Sequence, residues 1–175
     1  MNLSMGNDKT PLTDPQVFTY KGVFDPHYVY SGMKSFLEAT KNYDGTEKKM
    51  EEGRHGDSYE MVAEFMGEAH LSDHIHLEIE MEFEMEGKEV IVTDKNGVEH
   101  IYLEGEATLE IFSFIIKNEN KHRHNGPLVE FVNKIFQAYY NTSEMKMLSK
   151  KAKKDVSEAI IRFKQLTNMT TRGLN

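Results

Sequence analysis

The stretch H-L-E-I-E-M-E-F-E-M-E-G-K-E-V, His76 to Val90, carries a glutamate at every second position from Glu78 to Glu86 and an apolar residue at each position between. A period of two is the pattern of a half-buried β-strand, because successive side chains point to opposite faces. Leu77, Ile79, Met81, Phe83 and Met85 then form a face to be covered, and Glu78, Glu80, Glu82 and Glu84 a wet one. Neighbouring glutamates about 6.8 Å apart along a strand repel by roughly 0.6 kcal/mol in water before salt. Burying each apolar side chain contributes roughly 1.5–3 kcal/mol, so apolar burial wins if the acidic face keeps water or finds cations.

Working outward, Ser58 to Ala69 alternates in the same way, with Tyr59, Met61, Ala63 and Phe65 on one side and Glu60, Glu64 and Glu68 on the other. Gly87-Lys88 reads as a two-residue hairpin loop that would set Met85 opposite Val90 and Phe83 opposite Val92. Asn96-Gly97 reads as the next loop, setting Val92 opposite Ile101 and Val90 opposite Leu103. The following strand turns Gly105, Ala107, Leu109 and Ile111 inward. It becomes apolar on both sides from Phe112 to Ile116, which predicts a covered end. A weaker, charged strand is expected over Glu47 to Glu52, followed by a turn through Gly53 to Asp57.

Upstream, Val17 to Phe24 is an aromatic and β-branched strand candidate. It runs into Asp25-Pro26, a cap followed by a proline where the first helical turn tolerates one. Val29, Tyr30, Met33, Phe36 and Leu37 share one face of the helix that follows. Downstream, Leu128, Phe131, Val132, Ile135, Phe136 and Tyr139 share one helical face, and Met145, Leu148, Ala152, Val156, Ala159, Phe163 and Leu166 share another. The two stripes are out of phase, and Asn141-Thr142-Ser143-Glu144 between them has capping-box chemistry, so a kink or break is expected there.

The expected fold class is α+β: a curved antiparallel sheet of about six strands, one helix after the first strand, and a long, kinked or broken C-terminal helical segment packed on the sheet. One domain is expected over residues 17–167. Residues 1–16 form a flexible or docking arm in this reading, and 168–175 a flexible tail.

Composition narrows the function. The chain of 175 residues has a formal charge of −8 and no cysteine, which excludes disulfides, thiolate catalysis and Cys-ligated metals and fits a reducing cytoplasm or an assembled particle. No apolar run reaches the roughly 18–20 residues that span a bilayer, so membrane insertion is not expected. Charge is segregated. From Asp57 to Glu119 three Lys or Arg stand against seventeen Asp or Glu, and from Leu128 to Thr167 eight stand against four. Nucleic acid is a poor partner for such a surface. The small basic loop at Lys121, His122, Arg123 and His124 lacks a stacking platform and reads as solvated. The exposed lysines Lys146, Lys150, Lys153 and Lys154 line one helical face and could meet the glutamates of a second copy or another protein.

His70, His74 and His76 in H-L-S-D-H-I-H have possible metal-ligand spacing, with His74 and His76 on one strand face beside Glu78. Alternation leaves them on the hydrated side without an enclosing set of donors, so the expectation is solvated histidines, no metal and no cofactor. None of the phosphate-loop, dinucleotide, nucleophile-elbow or zincin motifs occurs, and the reading leans away from an enzyme.

The order strand, helix, antiparallel strands, long C-terminal helix resembles the helix-grip arrangement of the START, Bet v 1 and polyketide-cyclase-like superfamily over Val17 to Thr167. K-G-V-F-D at Lys21 to Asp25, E-K-K at Glu47 to Lys49 and H-L-E-I-E at His76 to Glu80 also resemble uncharacterised archaeal proteins, a kinship implying no activity. The helix-grip resemblance implies an apolar cavity between sheet and last helix. Phe65, Met81, Phe83, Met85, Phe131 and Ile135 would either line it for a small hydrophobic ligand or fill it. Two functions follow as expectations: a non-catalytic interaction or assembly subunit, such as a virus-particle component, and, as the alternative, a carrier of a small hydrophobic ligand.

Overall fold

The computed structural model describes residues 8–72, 75–93, 96–117 and 127–172. Its strands are β1 (Asp8–Pro11), β2 (Gln16–Phe24), β3 (Asp44–His55), β4 (Ser58–Ser72), β5 (Ile75–Thr93) and β6 (Glu99–Lys117). Helix α1 (Pro26–Ser35) continues into a π-type turn, Phe36–Thr40, and α2 spans Pro127–Arg172. The strands make one six-stranded antiparallel sheet in which β6, β5, β4 and β3 lie side by side. β2 and then β1 pair in succession along the other edge of β6. The fold is α+β, with an early helix and a C-terminal helix on the same sheet.

The period-two pattern decides which face is covered. Tyr59, Met61, Ala63 and Phe65 of β4, Leu77 to Met85 of β5 at odd positions, and Leu103, Ala107, Leu109 and Ile111 of β6 are all buried on one side. Asp25 caps α1 by accepting the Tyr28 N–H at 3.0 Å, and Pro26 occupies the first turn. That start turns Val29, Tyr30 and Met33 onto the sheet, with Phe36 and Leu37 behind them. Asn42 ends the π-type turn with a left-handed φ of 57°, a conformation asparagine adopts more readily than most residues. Tyr43, whose N–H donates to the Leu37 carbonyl at 3.1 Å, thereby enters the core. From α2, Leu148, Ala152, Val156, Ala159, Phe163 and Leu166 close the other side.

From Asp8 onward the polar N-terminal segment belongs to the sheet. Asp8–Pro11 pair with Phe114–Lys117 and so cover the end of β6 that is apolar on both faces. The Lys9 ammonium sits 4.0 Å from the Phe114 ring centre, and Leu12 packs on the core.

Three sequence expectations are corrected. Gly87-Lys88 is not a loop: β5 runs straight through it, with Gly87 opposite Gly105 on one side and Tyr59 on the other. The glycine is there for close approach. A Cβ on Gly105 would lie 2.0 Å from the Glu86 carbonyl oxygen, and one on Gly87 would lie 2.7 Å from that of Glu104. Met85 therefore faces Ala107 and Met61, not Val90. The chain does turn at Asn96-Gly97, where Gly97 has φ of 81°, but the register is one residue off the expected one. Val92 faces His100 and Val90 faces Tyr102, because the ladder ends on Thr93 and Glu99 and not around a two-residue turn. Finally, α2 runs unbroken through Asn141 to Glu144. Polar cap formers inside a helix cost only about 0.5 kcal/mol each in propensity, too little to end it.

Candidate functional site

Opposite the core, the outer sheet face is built from the even positions of β5 and their neighbours. Because β4, β5 and β6 pair without a shift over this region, glutamates fall in transverse rows. Glu60, Glu86 and Glu106 are directly opposed across the three strands, as are Glu64, Glu82 and Glu110, while Glu68 opposes Glu78. Like charges directly opposite in a ladder each destabilise by roughly 0.2–1 kcal/mol. This alignment is the feature that alternation along one strand does not reveal.

Basic side chains enter from the sheet margins. Lys9 of β1 lies 2.6 Å from Glu78 and 2.7 Å from Glu80, and Lys21 of β2 lies 2.7 Å from Glu106. Glu78 is nearly covered, at 4% exposure, and burial raises its carboxyl above the ordinary range, with Lys9 opposing and Glu80 reinforcing the shift. Burial also raises Glu82, and the charges of Glu64, Glu110, Glu80 and Glu84 add to it. Glu82, Glu84 and Glu86 remain exposed. Where the rows meet, Glu60, Glu84, Glu86, Glu106 and Thr108 rim a shallow depression of about 210 Å³.

Lys146, Lys150, Lys153 and Lys154 are exposed on α2, which packs on the core side of the sheet. One chain therefore carries the glutamates and these lysines on opposite sides, and cannot neutralise one with the other.

Of the candidate cavity residues, Phe65, Met81, Phe83 and Met85 are at most 1% exposed and pack together in the core. Phe131 and Ile135 lie on α2, with side chains outside the described residues. A cleft of about 510 Å³ lies elsewhere, between the β1–β2 connection and α2, with Leu12, Asp14, Lys153, Val156 and Ile160 among its walls. His70 and His76 are brought together across the β4–β5 ladder. His74 and the basic loop at residues 121–124 fall outside the described residues.

No known protein family matches the sequence, and no curated protein matches it. Among solved structures, a protein of unknown function from Staphylococcus aureus, SA2116, is similar over 97% of this chain and 99% of its own, at 12% identity and a TM-score of 0.29. At that score the likeness carries no argument about fold or function.

Sequence reasoning missed three features. The first is Lys9 as the cation for Glu78; the doubly apolar end of β6 required a cover, which was the available hint. The second is a buried ion network. Asp155, 2% exposed, accepts the Tyr43 hydroxyl at 2.8 Å and the Lys151 ammonium, and lies 3.2 Å from Lys41, which also meets Glu158. Burial would raise the Asp155 carboxyl, but the Lys151 and Tyr43 hydrogen bonds and the lysine charges hold it below its usual range. The network ties the segment after the π-type turn to α2. The third is an apolar pair at the far end of the β5–β6 hairpin, where Ile91 and Ile101 oppose each other at 68% and 61% exposure, beyond the reach of β2 and β4.

Proposed function

We propose that this chain is a non-catalytic assembly subunit that associates with further copies of itself, the outer glutamate face of one copy meeting the α2 lysine face of the next. One observation carries the reading: the opposed rows Glu60–Glu86–Glu106 and Glu64–Glu82–Glu110 weaken the isolated sheet, Lys21 meets Glu106 at one margin, and the four lysines of the α2 face lie on the other side of the sheet. A contact between unlike faces adds subunits head to tail, closing into a ring or extending as a filament. Opposed potentials speed and orient such encounters, and they fade with salt. The exposed Ile91–Ile101 pair follows the parity of the core face, on the α2 side, and supplies apolar contact to the same junction.

The carrier reading has less support. Phe65, Met81, Phe83 and Met85, which would line a helix-grip cavity, pack against one another in the core, and the cleft beside α2 is open and partly polar.

Charge-reversed chains test the proposal. Lys150→Glu/Lys154→Glu and Glu82→Lys/Glu84→Lys should each be monomeric alone, and should form a complex when mixed at low salt. Two variants that each keep the wild-type mass would refute it.

A further inference from the structure

His70, near the end of β4, and His76, near the start of β5, stand directly opposite each other in the ladder. Their ring centres are 4.7 Å apart with planes at 76°, and their Nδ1 atoms are 3.0 Å apart. A neutral imidazole carries one N–H and one lone pair, so two Nδ1 atoms at this distance hold one proton between two lone pairs. Such a pair is also a two-point chelate. On the far side of the His70 ring, a Glu68 carboxylate oxygen lies 3.9 Å from Nε2, too far for a hydrogen bond. Glu78, next along the face, is engaged by Lys9 and is no part of the donor set.

With metal–nitrogen bonds of about 2.0–2.1 Å, two nitrogens on one metal sit about 2.9–3.4 Å apart, so an ion can replace the proton of the 3.0 Å hydrogen-bonded pair with little movement of the rings. Nitrogen donors bind nickel(II), and copper(II) above all, in preference to the earlier divalent metals, and copper(II) in preference to zinc. We propose that His70 and His76 form a binding site for a divalent transition metal, copper(II) or nickel(II), through their Nδ1 atoms in adjacent coordination positions. Each Nδ1 gives its lone pair to the metal. The proton between them moves to Nε2 of His76. Among the described residues no group of three or more histidine or carboxylate donors converges there.

The test uses the untagged full chain. Calorimetric titration with copper(II) and with nickel(II) at neutral pH should show one saturable site. Affinity should fall at least tenfold in His70→Ala and in His76→Ala, both checked for unchanged thermal unfolding, and should be unchanged in His55→Ala. The copper(II) electron paramagnetic resonance spectrum should be axial, with hyperfine splitting from two nitrogens. Absence of saturable binding, affinity indifferent to both substitutions, or zinc bound more tightly than copper would each overturn the assignment.

Discussion

Lys9 and Glu78 show how one residue's burial depends on another far away in sequence. Glu78 is covered, and Lys9, two-fifths exposed, brings the cation that compensates it. Replacing Lys9 by methionine should destabilise by about 1–3 kcal/mol, because a buried carboxylate is left without its partner. Adding Glu78→Gln should recover most of that loss in urea unfolding; additive losses would mean that the two do not act on each other. Glu82 sets a pH dependence. Its folded carboxyl is raised, so the folded state holds the proton more tightly than the unfolded chain, and stability falls as pH rises through the folded value. Melting temperature should therefore climb as pH drops through the raised folded value toward the ordinary carboxylate range near 4. The climb should be shallower in Glu82→Gln, which should also be more stable than wild type at pH 8. Asp155 acts in the other direction: its lowered carboxyl gives stability that is present above the unfolded value and lost as pH falls below it. A Glu82→Gln chain no more stable than wild type at pH 8 would contradict the opposed-row description.

Among the elements, what was legible in the sequence is what depends on local periodicity. The inward faces of β4, β5 and β6 and the second stripe of α2 follow from residue spacing alone, since burial of an alternating or helical stripe outweighs everything else acting on those residues. What was not legible depends on partners. Gly87-Lys88 carries the local chemistry of a turn, and only the strand opposite, with Gly105 in register, makes it a point of close backbone approach. Gly105→Ala should cost several kcal/mol or prevent folding, because its Cβ would meet backbone that cannot move aside. Gly53→Ala, with nothing nearer than 3.8 Å, should be nearly neutral. The outer face was read correctly as acidic, but its transverse rows needed the register, which no single strand contains. The capping signal at Asn141 was likewise real chemistry overruled by helix continuity. Thr142→Pro distinguishes the two cases: at the first position of a new helix proline is tolerated, whereas inside one helix it costs about 3 kcal/mol. Far-UV circular dichroism should show lost helix; an unchanged spectrum would restore the break.

At the scale of the whole molecule, the sheet separates two surfaces of opposite sign. Glutamate rows lie on one side, and on the other the helices cover the core and turn Lys146, Lys150, Lys153 and Lys154 outward. No helix among the described residues is long and apolar enough to cross a membrane. The proposed stacking of copies, unlike face to unlike face, should weaken as the Debye length shrinks from about 30 Å at 0.01 M salt to about 3 Å at 1 M. Sedimentation velocity of the wild-type chain at these two ionic strengths measures it most directly. The account predicts species heavier than 20.2 kDa at low salt that return to the monomer at high salt. A single monomeric boundary at both would contradict it.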